Sequence, residues 1–549
     1  MEGTRESPLG QIITWATNQS DQDESNTYWI YGLPGIGKTC LAHSICERLH
    51  DQKHLAGAFF CQRDGPDLSE PKNILPTLIY KLARIFPPFR RIVVEHLRND
   101  PHLSPESMKY SLFLDFIDSL PRRPSQPLVF VIDALDECGD GTTRPALLRA
   151  LTEATARASW LRIIITGRPE DDIQCFFNAA VRSSYVSFDL ATDQAATADL
   201  RTFARNQLDL VARKWCLETP WPEETIFDRV IFRANGLFIF IKTVVLALES
   251  CADPTETLEA TLEDSAGTGL KSLYGLYSSI LKARIVHWKA EFRQTIGVLL
   301  TTAQYRPLCE DTIAELAGVR PNLVRKWVND LSSLLYRDEK PNGGLHVRHV
   351  SISEYFLSDG CHPDYQVNLR DVNVHLGIAC LTTMVDKLRF NICKLEDSRL
   401  ANADIDDLQS RIKRNISEPL QYSSLYWSNH LCSTPNNRNQ SLLRNLREFF
   451  EGLYPLFWIE VLSLMGMVPT GAPKLRSMIL WIKVSAGAFL FVVCIPRYFL
   501  CRRMPIQFFW RGSRTFVASS SPSTPHSLSA PHTPIYQRDL FYHHNRLYQ

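Results

Sequence analysis

The chain has 549 residues, is 45% hydrophobic and 22% charged, and carries a formal net charge of +1. That length rules out a single core and predicts about three to five domains of ordinary globular composition. Its 14 cysteines are scattered singly, without a C-x-x-C pair or a His/Cys cluster at zinc spacing, which argues against a disulfide framework or a zinc site and for reduced, mostly buried thiols. The charge is unevenly spread: up to Glu460 there are 50 basic and 58 acidic residues, and from Val461 onward 10 basic residues and one acid, Asp539.

Residues 1–27 are polar, with no basic-then-apolar secretory pattern. Gln11, Ile12, Ile13, Trp15 and Ala16 predict one short leader helix, followed by the acidic, polar stretch Asn18 to Asn26. With 31 residues ahead of Gly32, no separate effector domain is expected in front.

From Tyr28 to Leu49, YWIYGLPGIGKTCLAHSICERL reads as a buried strand, a glycine-rich turn and an amphipathic helix. Gly32, Gly37, Lys38 and Thr39 fit G-x-x-x-x-G-K-[ST], the phosphate-loop pattern. Gly35 and Gly37 permit a tight turn whose N–H groups converge on a phosphate, and the helix behind adds its positive dipole end. The loop Gly32, Leu33, Pro34, Gly35, Ile36, Gly37, Lys38, Thr39 and Cys40 is thus the candidate nucleotide cradle, with Lys38 reaching the β and γ phosphates and the Thr39 hydroxyl holding Mg²⁺.

Further on, AGAFFC (Ala56 to Cys61) predicts a second strand, and helices come at Asn73 to Arg84 and Leu112 to Leu120. LVFVIDALDE, Leu128 to Glu137, reads as a buried parallel strand with acids at its carboxyl end. Alone, that pattern suits a buried strand capped by solvated acids. Paired with the phosphate loop it makes Asp133 the Mg²⁺ partner through water, with Asp136 or Glu137 orienting the attacking water. LRIIIT, Leu161 to Thr166, is a third apolar strand after the loop, and Arg168 just beyond it is either a γ-phosphate sensor in the crevice or a plain surface arginine.

GLPGIGKT, FVIDALDE and IIITGRP together resemble the NACHT class of STAND signal-transduction ATPases, in the form of fungal NLR-like proteins with a nephrocystin-type N-terminal domain. EGTRESPLGQIITWA, AFFCQRD, ILPTLIYKLA and RANGLFIFIKTVVLAL are similar to that family's lead-in, second strand, following helix and lid helix, so the resemblance runs over roughly residues 1 to 475. Cys40 after Thr39, and Gly167 in a place usually held by another small residue, are modest departures. The repeat array usual in the family is absent from the pattern, and no internal period of 20 to 50 residues is present.

Phe188 to Trp221 predicts helix, and Glu223 to Leu248 two helices broken at Asn235 and Gly236. Glu310 to Leu316, Pro321 to Leu335 and Leu345 to Val350 give a helix, helix and wing order with Gly318 in the turn, a winged-helix pattern. Its second helix offers only Arg325 and Lys326 as cations, too few for DNA phosphates. His349, in RHVSISEYF, matches the family's H-x-S-[FI] signature and either reaches the nucleotide or is a satisfied strand residue between Val347 and Val350. Asn368 to His430 and Phe449 to Met467 read as packed helices. In Met478 to Leu500 the longest uncharged run, Val484 to Pro496, is 13 residues, short of the ~20 that span a bilayer. The arginines beyond it favour peripheral, salt-sensitive membrane association at most, and the Ser/Pro-rich stretch after Val517 predicts disorder.

The predicted architecture is an α/β P-loop NTPase with a central parallel sheet, followed by helical lid, winged-helix and all-α domains. Boundaries fall at 1–27 (leader), 28–187 (nucleotide domain), 188–265 (lid), 266–360 (winged helix), 361–475 (helical) and 476–549 (tail). The resemblance implies an ATP/ADP and Mg²⁺-binding switch, closed with ADP and homo-oligomeric with ATP, cytoplasmic, acting on a downstream effector protein in fungal-type immunity or heterokaryon incompatibility, with slow hydrolysis if any. A winged-helix ATPase working on nucleic acid, or a truncated remnant, are the other readings, and neither a nucleic-acid partner nor firm membrane association is expected.

Overall fold

The computed structural model describes residues 4–18, 25–63, 65, 67–99, 110–180, 185–193, 195–264, 267–338, 343–397, 400–434 and 439–485. Apolar runs at Thr27–Tyr31 (β1), Leu55–Phe60 (β2), Leu128–Asp133 (β3), Leu161–Gly167 (β4) and Val186–Asp189 (β5) form one parallel sheet in the order β2-β3-β4-β1-β5. Every residue of β3 and β4 is buried, which is why both read as unbroken hydrophobic stretches. Side chains alternate between two cores. Trp29, Phe130, Ile132, Ile163 and Ile165 face the helices Ile74–Ile85, Tyr110–Asp118 and Arg144–Arg157. Tyr28, Ile30, Val129, Val131 and Ile164 face the leader helix Glu6–Thr17 and the helix Lys38–Asp51 behind the phosphate loop. The predicted leader helix therefore packs against the sheet that carries the phosphate loop.

β4 lies between β1 and β3, with Tyr31 opposite Gly167 and Ile132 opposite Ile165. Three chain segments consequently leave the sheet side by side at its carboxyl edge: the phosphate loop after β1, Arg168 after β4, and the turn Leu135–Glu137 after β3. That edge is where ligands bind in open α/β sheets.

The helical reading from Phe188 is corrected at its start. Val186–Asp189 pairs with β1 as the fifth strand, and the helix begins only at Ala196, running to Lys214. Four residues at a sheet edge, none fully buried, leave little periodicity to detect. The next two helices, Glu224–Ala234 and Phe238–Glu249, break where expected, with Asn235 at φ +43 closing the first. Helices Glu310–Ala317 and Pro321–Asp330 and the antiparallel hairpin of Leu335–Arg337 (β6) with Leu345–Val347 (β7) have the helix, helix and wing order. His349 is not a strand residue: it caps the helix Val350–Leu357.

In the all-α part, the helix Leu369–Lys387 packs along Glu418–Cys432, with Gln440–Glu451, Tyr454–Leu464 and Gly471–Ser485 around them. These elements lie in one unit, Met1–Leu395 with Asp407–Phe499. Glu396–Asp406 belongs with the tail to a second unit, whose described part has one short turn, Asn402–Asp404. The twelve described cysteines are free, but only five are buried, fewer than the composition suggested. Among the described residues no helix is long and apolar enough to cross a membrane. The apolar, basic and Ser/Pro-rich stretches from 486 onward lie outside the described residues.

A buried polar chain crosses the α-helical core. Tyr422 Oη lies 2.8 Å from His430 Nε2, and His430 Nδ1 donates to Asn373 Oδ1 at 2.9 Å. Burial pushes the His430 pKa down to about 3. The folded state thus disfavours the protonated ring, whereas the unfolded ring binds a proton near pH 6.5. Stability from this site is complete above that value and falls as the pH drops toward 3, by roughly 2 kcal/mol at pH 5. The melting temperature should therefore drop between pH 7 and pH 5, and the drop should shrink in His430→Gln.

Candidate nucleotide site

Gly35 (φ +77) and Gly37 (φ +102) hold the phosphate loop in left-handed conformations that other residues adopt only at a cost. Gly37 is the N-cap of the helix Lys38–Asp51 and brings no side chain to its first turn, whose amides have no intrahelical acceptor. A phosphate oxygen fits those amides and the helix dipole. Within the loop Pro34 and Ile36 are buried, Leu33 is exposed, and Thr39 and Cys40 lie open on the first turn. Lys38 Nζ donates to the carbonyls of Gly32 (2.7 Å) and Leu33 (2.9 Å), so the ammonium lies folded across the mouth of the loop. Burial lowers its pKa to about 8, against the pull of Asp136, Asp133 and Glu137.

Asp133 ends β3 almost fully buried. Its Oδ1 accepts from the Thr166 hydroxyl at 2.5 Å, and its carboxylate also hydrogen-bonds Thr39. Burial raises its pKa, and the two hydroxyl bonds oppose the rise. Thr39 and Asp133, the expected Mg²⁺ pair, are thus together. Beyond Ala134 the two remaining acids part company. Asp136 is committed to Arg168, accepting its backbone N–H (3.0 Å) and its Nε (3.2 Å). Glu137 accepts a single, longer bond from the Arg63 amide (3.3 Å), and burial next to Asp136 pushes its pKa up to about 7. Of the two acids expected to orient water, Asp136 is therefore engaged elsewhere.

Arg168 is no plain surface residue. Its guanidinium is largely buried, and besides Asp136 it pairs through Nη1 with Glu354 of the helix Val350–Leu357. The cap of that helix, His349, accepts from the Ser351 amide (3.2 Å), and its Nδ1 lies 2.7 Å from Ser351 Oγ, which is 2.8 Å from Tyr277 Oη. A Cβ on Gly35 would lie 3.8 Å from His349 Cε1. Burial first, then Arg168, Lys38 and Lys242, push the His349 pKa down to about 4, so the ring is neutral at pH 7.

Two contacts at the loop had no sequence signal strong enough to find. The Ile239 amide, on the first turn of the lid helix Phe238–Glu249, donates to the Gly35 carbonyl at 3.2 Å. Arg5, buried in the leader, donates from Nη2 to the Ile36 carbonyl (3.2 Å) and from Nη1 to Asp193 (2.8 Å), and its amide reaches Asp199 (2.9 Å). A lone arginine in a polar leader reads as solvated, and its acids lie almost two hundred residues away. Glu354 gave no signal for the same reason.

Known proteins share parts of this chain. Residues 9–168 match the family "Nephrocystin 3, N-terminal". The vegetative incompatibility protein HET-E-1 of Podospora anserina is 25% identical over 494 residues, covering 83% of this chain. The chain spans 35% of that relative's length. Among solved structures, the Walker-type ATPase PABY2304 of Pyrococcus abyssi is 14% identical, covering 64% of this chain and 95% of its own, with a TM-score of 0.30. Cdc6p from Pyrobaculum aerophilum is 14% identical over 64% of this chain and 94% of its own, with a TM-score of 0.31. Likenesses with TM-scores that low add nothing to what the sheet itself establishes.

Gly35→Ala tests the closeness of lid and loop. Its Cβ would meet Ile239 Cγ2 at 2.1 Å, and the left-handed backbone alone costs about 1–2 kcal/mol. The variant should melt several degrees lower, and proteolysis at the lid should quicken.

Proposed function

We propose that this chain, a P-loop NTPase of the NACHT type, is a signalling switch whose lid and winged helix are held closed over a bound nucleoside diphosphate and released by the triphosphate. The observation that carries this reading is the convergence of three separate parts of the chain on the phosphate loop and the arginine beside it: the lid through Ile239, the leader through Arg5, and the winged-helix region through His349 near Gly35 and Glu354 on Arg168. An enzyme built for rapid turnover needs an open path for substrate and product, whereas here three separate parts of the chain press on the site.

In this reading the amides of the Gly35 to Thr39 stretch hold the phosphates and Lys38 leaves its loop carbonyls to meet the β and γ oxygens. Thr39, and Asp133 through water, would hold Mg²⁺, which would supply positive charge to neutralise the phosphates. Glu137, with a pKa near 7, holds the attacking water and takes its proton. Asp136 positions Arg168, which meets the γ-phosphate. Hydrolysis through one weakly held base is slow and resets the switch. The open form assembles with other copies of the chain and engages a downstream effector protein, in immunity or in incompatibility signalling of the kind the fungal relative is named for.

The winged helix supports this reading over work on nucleic acid. On its second helix Arg325 is paired with Asp311 (2.5 Å) and Lys326 with Asp330 (3.0 Å), leaving little positive charge for a phosphate backbone. A cytoplasmic location agrees with such a role.

Lys38→Ala should lower the affinity for ADP and for ATP at least tenfold by calorimetry, because the charge facing the phosphates is gone while the sheet is untouched. Unchanged affinity would refute the site. Asp133→Asn should weaken binding only when Mg²⁺ is present.

Glu137→Gln should spare binding, slow single-turnover hydrolysis at least a hundredfold, and enrich oligomers in the presence of ATP. Wild-type hydrolysis should rise with pH through about 7 as Glu137 ionises, and the rise should vanish in the variant.

A further inference from the structure

Arg168 stands where the nucleotide-binding edge meets the winged-helix region, with its Nε on Asp136 and its Nη1 on Glu354. Both side chains of the second pair are shielded, at 15% and 22% exposure, so the bond is screened far less than a surface ion pair. Glu354 lies one turn into the helix Val350–Leu357, whose cap His349 looks onto Gly35. The carboxylate therefore meets Arg168 from a helix whose cap lies beside the phosphate loop.

The charge around this point is unbalanced. Lys38 is acted on by Asp133, Asp136, Glu137 and Arg168, and Arg168 by Glu354, Asp136 and Glu137. Lys38 and Arg168 are thus surrounded by carboxylates, with Arg63 at Glu137 and Lys242 near His349 as the other cations, and His349 adds no charge at pH 7. A diphosphate held by the loop amides leaves the end facing Arg168 unoccupied, so Glu354 keeps its partner. A terminal phosphate brings further negative charge to the same guanidinium. Arg168 is held at this edge by Asp136, which takes both its amide and its Nε. Glu354 is the partner carried on a separate region, so it is the one that moves.

We infer that Glu354 is an internal stand-in for the γ-phosphate: it occupies Arg168 when the bound nucleotide lacks that group, and sets the preference for diphosphate over triphosphate by competing for the same guanidinium. This deepens the switch reading and rests on it. The mechanical consequence comes from packing. Tyr355, next to Glu354, stacks edge-on against Tyr274 and Tyr277 of the helix Leu270–Arg284 at 5.3 and 5.6 Å, and Phe356 lies 6.3 Å from Phe292. Expulsion of one carboxylate thereby loads the helix Leu270–Arg284 through these aromatic contacts.

The experiment uses the full chain with Mg²⁺ and compares calorimetric affinities for ADP and a non-hydrolysable ATP analogue, alongside protease sensitivity. Glu354→Gln keeps the shape and removes the charge, so the preference for ADP over the analogue should fall about tenfold, the size expected for losing a shielded charge pair. The variant should also turn protease-sensitive at lower analogue concentration. Glu354→Ala should shift the preference in the same direction, which guards against a fold defect peculiar to the glutamine. In an Arg168→Ala background neither change should have a further effect, because the contested guanidinium is gone. Wild type that binds both nucleotides, with a preference unmoved by either Glu354 variant or moved equally without Arg168, overturns this inference alone. Wild type that binds neither nucleotide overturns the switch reading, and this inference with it.

Discussion

A phosphate loop is made of backbone, and its conformation is set as much by what presses on it as by its glycines. Here the Gly35 carbonyl accepts from the lid, the Ile36 carbonyl from the leader, and the Gly32 and Leu33 carbonyls from the loop's own lysine. With the Gly35 and Ile36 carbonyls bonded to other parts of the chain, the amides of the first helical turn, which lack intrahelical acceptors, are left for an anion. Nearly every other feature depends on this arrangement. The small residue at 35 is required because Ile239 lies against it, and the leader is tied down because Arg5 reaches through to the loop.

The site acids show how burial divides apparently equivalent groups. Asp133, Asp136 and Glu137 fall within five residues, yet each meets a different environment. Two hydroxyls hold Asp133, a guanidinium holds Asp136, and Glu137 keeps one long amide bond in a poorly solvated position. Desolvation raises the Glu137 carboxyl pKa further than the Arg63 amide and the nearby arginines lower it. The raised pKa of Glu137 and the committed bonds of Asp136 are two results of the same turn geometry.

Local sequence determined a good deal of this protein. The strands β1, β3 and β4, the phosphate loop, the break at Asn235 and the helix, helix and wing order were all legible, because each is a contiguous pattern of apolar period, glycine and turn chemistry. Residue types at the ends of strands likewise placed Lys38, Thr39, Asp133 and Arg168 at one edge, since parallel strands deliver their succeeding loops to the same side.

Only the tertiary structure decided the order β2-β3-β4-β1-β5, the existence of the edge strand Val186–Asp189, and the partners of the site. A short edge strand has no pattern of its own and is defined by hydrogen bonds to β1. Asp136 and Glu137 are adjacent acids in sequence, and nothing local distinguishes the one that Arg168 will claim. Arg5 and Glu354 look like ordinary surface charges until residues nearly two hundred positions away come beside them. Periodicity and turn chemistry act over a few residues and can be read along the chain, whereas desolvation and ion pairing depend on which distant groups share the same low-dielectric space, and that is settled only when the chain folds.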